Sequence, residues 1–178
     1  MSSRVFLFVL SVLSVLSVGC GQTVPENSER PAPAEPNAQE GTIYQNTRFG
    51  YRFTVPGGAL VYALNLEDQT ARLAEPEDEV VFVPEQGTNV LTVRGIEGAE
   101  SPHTWLTQHV SFFYPQGEAA QRVETLDGQQ ALSLYGEGTS DSPARLTVVQ
   151  PGAALIVVTF EQETEAFESI LASFDFIP

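Results

Sequence analysis

The chain predicts an α+β domain, a mostly antiparallel sheet with helices packed upon it. Two observations carry that expectation. Apolar residues alternate with period two in a series of short segments between Phe49 and Phe160, several joined by turn-rich links. The spacing changes to the threes and fours of a helix twice, once after Ser101 and once after Glu165.

Taken in order, Phe49, Tyr51, Phe53 and Val55 alternate with Gly50, Arg52 and Thr54, which predicts a strand with one buried face. Asn46 to Gly50 supply a bend before it, and Pro56-Gly57-Gly58 end it. Leu60, Tyr62, Leu64 and Leu66 repeat the alternation, but Val61 and Ala63 make this segment apolar on both sides. Val80–Val83 and Val90–Val93 are two further strands paired through the turn-rich Pro84-Glu-Gln-Gly87.

Ser101-Pro102 offers an N-cap with proline in the first helical position. Trp105, Leu106, His109 and Phe112 or Phe113 follow at helical spacing, and Pro115 and Gly117 stop the segment. Val123–Leu126 and Gln130–Tyr135 flank Asp127-Gly128, a strong hairpin signal. Arg145–Val149 and Ala153–Phe160 flank Gln150-Pro-Gly152, and the second of these is nearly all apolar, as a central strand covered on both faces would be. Phe167, Ile170, Leu171 and Phe174 form one helical stripe, with Glu161, Glu163 and Glu165 around its start, where the helix dipole favours negative charge. Phe174–Ile177 alternates again as a short closing strand.

The chain begins differently. Arg4 is followed by the apolar run Val5–Val18, about 21 Å long as a helix at ~1.5 Å per residue, short of the ~30 Å hydrocarbon core. Residues 1–19 therefore read as a signal peptide rather than a span. Ser17-Val18-Gly19-Cys20 resembles the bacterial lipobox, with the usual leucine one position early, at Leu16. Cys20 is the single cysteine of the chain. The competing reading is ordinary signal cleavage beside an incidental thiol. An unpartnered thiol is unusual in a secreted protein, whereas lipidation consumes it. Stable anchoring needs more than one acyl chain; lipoproteins resembling this start carry several, palmitate among them, on one cysteine. Gly21, instead of an acidic residue, resembles the outer-membrane sorting pattern if the cell is Gram-negative.

Residues 20–42 hold four prolines (Pro25, Pro31, Pro33, Pro36), four glutamates and no aromatic residue. Such a segment cannot bury enough apolar surface to offset its ordering entropy, so it reads as a disordered tether of up to ~70 Å at ~3.1 Å per residue. Residues 43–178 then form a single domain, of common domain size. It carries 19 acidic residues against 6 arginines, and the whole chain has no lysine. Nucleic acid is excluded as a partner by that charge, and Schiff-base chemistry by the missing lysine.

No catalytic constellation emerges. His103 and His109 are six apart, ~120° around a helix, and cannot clasp one metal together. There is no HExxH, no Cys/His cluster, no G-x-S-x-G and no Ser-x-x-Lys. No metal or cofactor site is expected. Glu75, Glu77, Asp78 and Glu79 around Pro76 form an acidic loop that reads as a solvated one, with weak calcium binding as the sharper alternative. A carboxylate pair for glycoside hydrolysis could be drawn from that loop or from Glu97 and Glu100. Trp105, Phe112, Phe113 and Tyr114 place four aromatics within ten residues, more than one helix face covers easily. Trp105 or Tyr114, if partly exposed, is then the expected anchor for a partner.

Three motifs together resemble the PsbP/Mog1-like superfamily, including its bacterial lipoproteins. They are Tyr44-x-Asn46-x-x-Phe49-Gly50-Tyr51-x-Phe53-x-Val55-Pro56, then Leu126-Asp127-Gly128-Gln-Gln-Ala131, then Phe167-Glu-Ser-Ile-Leu-Ala-Ser173-Phe174-Asp-Phe176. Where such proteins often follow an aromatic-proline with tryptophan, this chain has Val55-Pro56-Gly57-Gly58-Ala59. The resemblance implies an α-β-α sandwich that works by binding or assembly rather than by catalysis; its members include photosystem II extrinsic proteins and a Ran-binding transport factor. The matching motifs are structural, so no functional residue is carried over. The expectation is a non-catalytic envelope protein, extracytoplasmic and lipid-anchored to a bacterial membrane, whose domain binds a protein partner or assists assembly. A small-molecule or metal-binding lipoprotein and a surface hydrolase are the alternatives.

Overall fold

The computed structural model describes residues 41–65, 70–85, 89–117, 119–139 and 142–177. All fall in one unit, Pro36–Pro178. The signal peptide, Cys20, the tether up to residue 40, Leu66 and the turn at Gly87 lie outside the described residues.

The elements run β1 (Thr42–Asn46), β2 (Tyr51–Val55), β3 (Tyr62–Leu64), β4 (Ala71–Leu73), β5 (Val80–Pro84), β6 (Val90–Glu97), α1 (Pro102–Phe113), β7 (Ala120–Leu126), β8 (Gln129–Tyr135), β9 (Arg145–Val149), β10 (Ala154–Phe160), α2 (Glu165–Ala172) and β11 (Asp175–Phe176). Eight strands form one sheet in the order β4-β3-β5-β6-β10-β9-β8-β7, and three form a second, β1-β2-β11. Every strand pairing among them is antiparallel. The fold is thus strand-dominated, with two helices.

Local chemistry explains the element ends. The Ser101 side chain accepts from the Thr104 amide and Pro102 opens α1, so the expected cap is in place. Thr164 caps α2 through the Phe167 amide. Asp127 and Gly128 both take positive φ (45° and 73°), the geometry of a two-residue hairpin turn that matches strand twist. Asp127 also accepts from the Phe176 amide at 2.7 Å, tying this turn to the C-terminal strand.

The sequence misplaces three features. In β3 the buried position is Ala63, with Val61 against the same core, while Leu64 and Tyr62 turn the other way. The small side chains fit under the closely packed layer, and the large ones do not. β1 and β4 go unpredicted. The inward positions of β1 are Tyr44 and Asn46, so a polar residue breaks the apolar alternation. Asn46 is buried because it is a connector: its Nδ2 donates to Asp78 O (2.8 Å) and Tyr44 Oη (3.2 Å), and its Oδ1 accepts from the Phe49 amide (3.0 Å). β4 has only three residues, all exposed, too short to show a period.

Two cores lie on opposite faces of the large sheet. One joins Val81, Val93, Ile156, Val158 and Phe160 to Tyr51, Phe53 and Val55 of β2 and to Phe167, Ile170 and Leu171 of α2, with Phe174 just beyond the helix. The rings of Tyr51, Phe53 and Phe174 stack at 5.4–6.2 Å between centroids. The other core joins Leu134, Leu146, Val148, Leu155 and Val157 to Trp105, Leu106 and Tyr114. Strand β10 feeds both, alternating Leu155 and Val157 with Ile156, Val158 and Phe160. That double burial is why its sequence is apolar at every position but Thr159.

Candidate functional site

Trp105 and Tyr114 are not exposed anchors. Tyr114 is 2% exposed; its hydroxyl donates to Leu134 O at 3.2 Å, and burial pushes its pKa upward. Its ring lies over Gly136, where a Cβ would come within 2.4 Å of Cε1. Trp105 is buried at the base of α1 and stacks on His109 at 4.4 Å. His109 Nδ1 donates to Trp105 O (2.8 Å), and His103 is exposed. The aromatic that α1 does expose is Phe112, edge-on to Phe113 at 5.1 Å. Four aromatics exceed one helix face, as expected, but the surplus ring is Phe112.

Four of the six acids named for calcium or hydrolysis, Glu75, Asp78, Glu79 and Glu97, pair with arginines. Asp78 accepts from Arg72 Nη1 and Nη2 (3.0 and 2.5 Å) and from the Glu75 amide (2.7 Å). Glu79 holds Arg94 at 2.9 Å, and Glu97 holds Arg48 at 2.8 Å. The hydrogen bond and charge of Arg48 keep Glu97 below the usual carboxylate range, the opposite of what a general acid needs. Among the described residues no cluster of three or more His, Cys, Asp or Glu is arranged to hold a metal.

The densest polar network was not legible in the sequence. It covers the β7–β9 part of the sheet face that also carries α2. Glu124 accepts from Tyr135 Oη (2.5 Å), Ser133 Oγ (2.7 Å) and Arg145 Nη2 (2.7 Å). Ser133 gives its one proton to Glu124, so it accepts from Thr147 Oγ1 at 2.9 Å. Arg145 reaches on to Glu168 of α2 (3.0 Å). Burial pushes the Glu124 pKa up, but the hydrogen bonds from Tyr135 and Ser133 and the charge of Arg145 outweigh it and hold the group below its ordinary value. Burial and the same hydrogen bond raise Tyr135 to about 12. An ionised carboxylate held by three donors beside a protonated phenol offers no base poised near neutrality. The network clamps hairpin β7–β8 to α2.

Among the described residues, two apolar surfaces stand apart from this network. On the α1 side, strand register places Leu73, Tyr62, Phe82, Thr92, Thr159, Leu146 and Leu134 in one cross-sheet row, all pointing to one face. Leu146 and Leu134 lie under α1. Leu73 is 59% exposed, Leu64 beside it 36%, and Tyr62 and Phe82, stacked at 5.6 Å, join neither core. On the other side, Val55, Pro56, Val83, Glu85, Phe167 and Ile170 line a groove of about 430 Å³ between β2, the end of β5 and α2.

No protein-family model matches the chain, and no curated protein matches it either. Among solved structures it is similar to the solution structure of cyanobacterial PsbP (CyanoP) from Synechocystis sp. PCC 6803, at 15% identity and a TM-score of 0.50, covering 83% of this chain and 99% of that one. Among the described residues no helix is long and apolar enough to cross a membrane. The domain has a PsbP-like fold.

Proposed function

We propose that this is a lipid-anchored, non-catalytic envelope protein that docks a protein partner on the open half of the α1 face. The single observation carrying the docking is the row Leu73-Tyr62-Phe82, continued by Leu64, which leaves large apolar side chains outside both cores of a strongly acidic domain. Contiguous exposed apolar surface on a charged protein marks an interaction site. The PsbP-like fold supports a binding role, and α1 and α2 on opposite faces support the finer α-β-α sandwich, with β1-β2-β11 sharing the α2 layer. The lipobox-like Ser17-Val18-Gly19-Cys20 supports the anchor and an extracytoplasmic address, the residues between Cys20 and β1 being the tether that lifts the domain from the membrane.

The test pairs two variants. Cys20→Ser should move the chain from the membrane to the soluble fraction without changing domain stability. Leu64→Glu with Leu73→Glu should leave the chain on the membrane and abolish the salt-resistant crosslinked complex that the native chain forms. If the double variant retains the complex, docking on this face is wrong. An unmodified amino terminus by mass spectrometry would remove the anchor.

A further inference from the structure

We infer that the groove between α2 and the end of β5 binds a small organic amine with an apolar body, its ammonium group meeting Glu85. This site lies on the opposite side of the large sheet from the proposed docking face and does not depend on it.

The walls are apolar: Val55 and Pro56 from β2 and its turn, Val83 from β5, Phe167 and Ile170 from α2. The groove holds about 430 Å³ and is open toward solvent. Glu85 is the one ionisable residue among those lining it. Its position is built. Glu85 Oε2 accepts from Asn89 Nδ2 at 2.7 Å, and the Glu85 amide donates to Asn89 O at 2.9 Å. Asn89 is itself buried and accepts through Oδ1 from the Gln162 amide at 3.0 Å, which fixes it to the loop entering α2. A carboxylate accepts about four hydrogen bonds, so one from Asn89 orients Glu85 without saturating it.

Charge selects the occupant. The six arginines of the domain are committed elsewhere: Arg48 to Glu97, Arg52 to Asp175, Arg72 to Asp78, Arg94 to Glu79, Arg145 to Glu124, and Arg122 over the Tyr135 ring. None neutralises Glu85. The start of α2, which would otherwise attract an anion, is capped by Thr164 and carries Glu165 and Glu168 in its first turn. A second copy of this acidic domain brings the wrong charge, and so does the segment at residues 21–40, with four glutamates and one arginine. An apolar groove with one oriented acidic residue among its lining fits a hydrophobic ammonium ion.

The experiment titrates the full-length chain with three probes of one size, 2-phenylethylammonium, 2-phenylethanol and 3-phenylpropionate, following amide NMR shifts. The expected result is saturable binding mapped to Ala166, Phe167 and Ile170, with the amine about tenfold tighter than the alcohol and the carboxylate weakest. Glu85→Gln should reduce the amine to the level of the alcohol, and Ala166→Trp should block all three by filling the groove. Equal binding of the three probes, shifts mapping elsewhere, or an unchanged amine affinity in Glu85→Gln would overturn the inference. Binding of a lysine-bearing peptide where the free amine fails to bind would overturn it too.

Discussion

The two ends of one cross-strand row set the terms for this molecule. At β8 and β9 the row holds Leu134 and Leu146, buried in the core under α1; at β3 and β4 it holds Tyr62 and Leu73, which join neither core, Leu73 being 59% exposed. The side chains are similar and the backbone is the same antiparallel ladder. What differs is whether an element lies on top. Apolar chemistry therefore does stability work at one end and is left over at the other, and stability and binding should respond to substitution in opposite ways.

The largest expected effect is at the covered end. Leu146→Ala opens a cavity under α1 and should cost about 2–5 kcal/mol in chemical denaturation. Leu73→Ala, the same substitution at the other end, should fall within about 0.5 kcal/mol of the native chain while weakening partner capture. Equal costs at the two positions would break the comparison. Next in size is the helix that does the covering. Ser101→Ala removes the α1 cap and should cost about 1 kcal/mol, against almost nothing for Phe112→Ala at the exposed end of that helix.

Smaller effects concern the other face, where polar rather than apolar groups occupy the uncovered end. Glu124 is held below its unfolded value, so its contribution is present above the unfolded carboxylate range and is lost as pH falls through the folded pKa. Acid denaturation of Glu124→Gln should accordingly be less steep than that of the native chain. The sign reverses for phenols. Tyr44 and Tyr135 are raised to about 12, mainly by burial, so their contribution is intact below the unfolded tyrosine range and is lost as pH rises through about 12. The charge of Glu124 helps raise Tyr135, so spectrophotometric titration should show Tyr135 ionising at lower pH in a chain carrying Glu124→Gln.

Much of this was legible in the sequence, and the exceptions have physical causes. The alternating run at Tyr51–Val55 and the apolar runs at Val80–Val83 and Ala154–Phe160 are strands because one or both faces are buried, and Ser101-Pro102 and Asp127-Gly128 act through local chemistry that needs no tertiary context. β1 hid behind Asn46, whose amide is buried for its hydrogen bonds rather than in spite of its polarity. The orientation of β3 was ambiguous because it is apolar on both sides, so only the packed layer decides that Ala63 goes in and Leu64 stays out. The same ambiguity concealed the open face. Four clustered aromatics drew attention to α1, yet Trp105 and Tyr114 are spent on covering the sheet. Glu85 gave no signal, because the Asn89 and Gln162 contacts that orient it bring together residues 73 positions apart.

The central claim, that the uncovered end of the row is a docking surface, is tested most directly by photo-crosslinking in native membranes. A benzophenone side chain at position 73 should give one discrete crosslinked product, suppressed by excess unlabelled chain. The same probe at position 123, a valine 62% exposed on edge strand β7 and equally accessible, should give none. Indistinguishable products from the two positions, or none from position 73, would contradict the account.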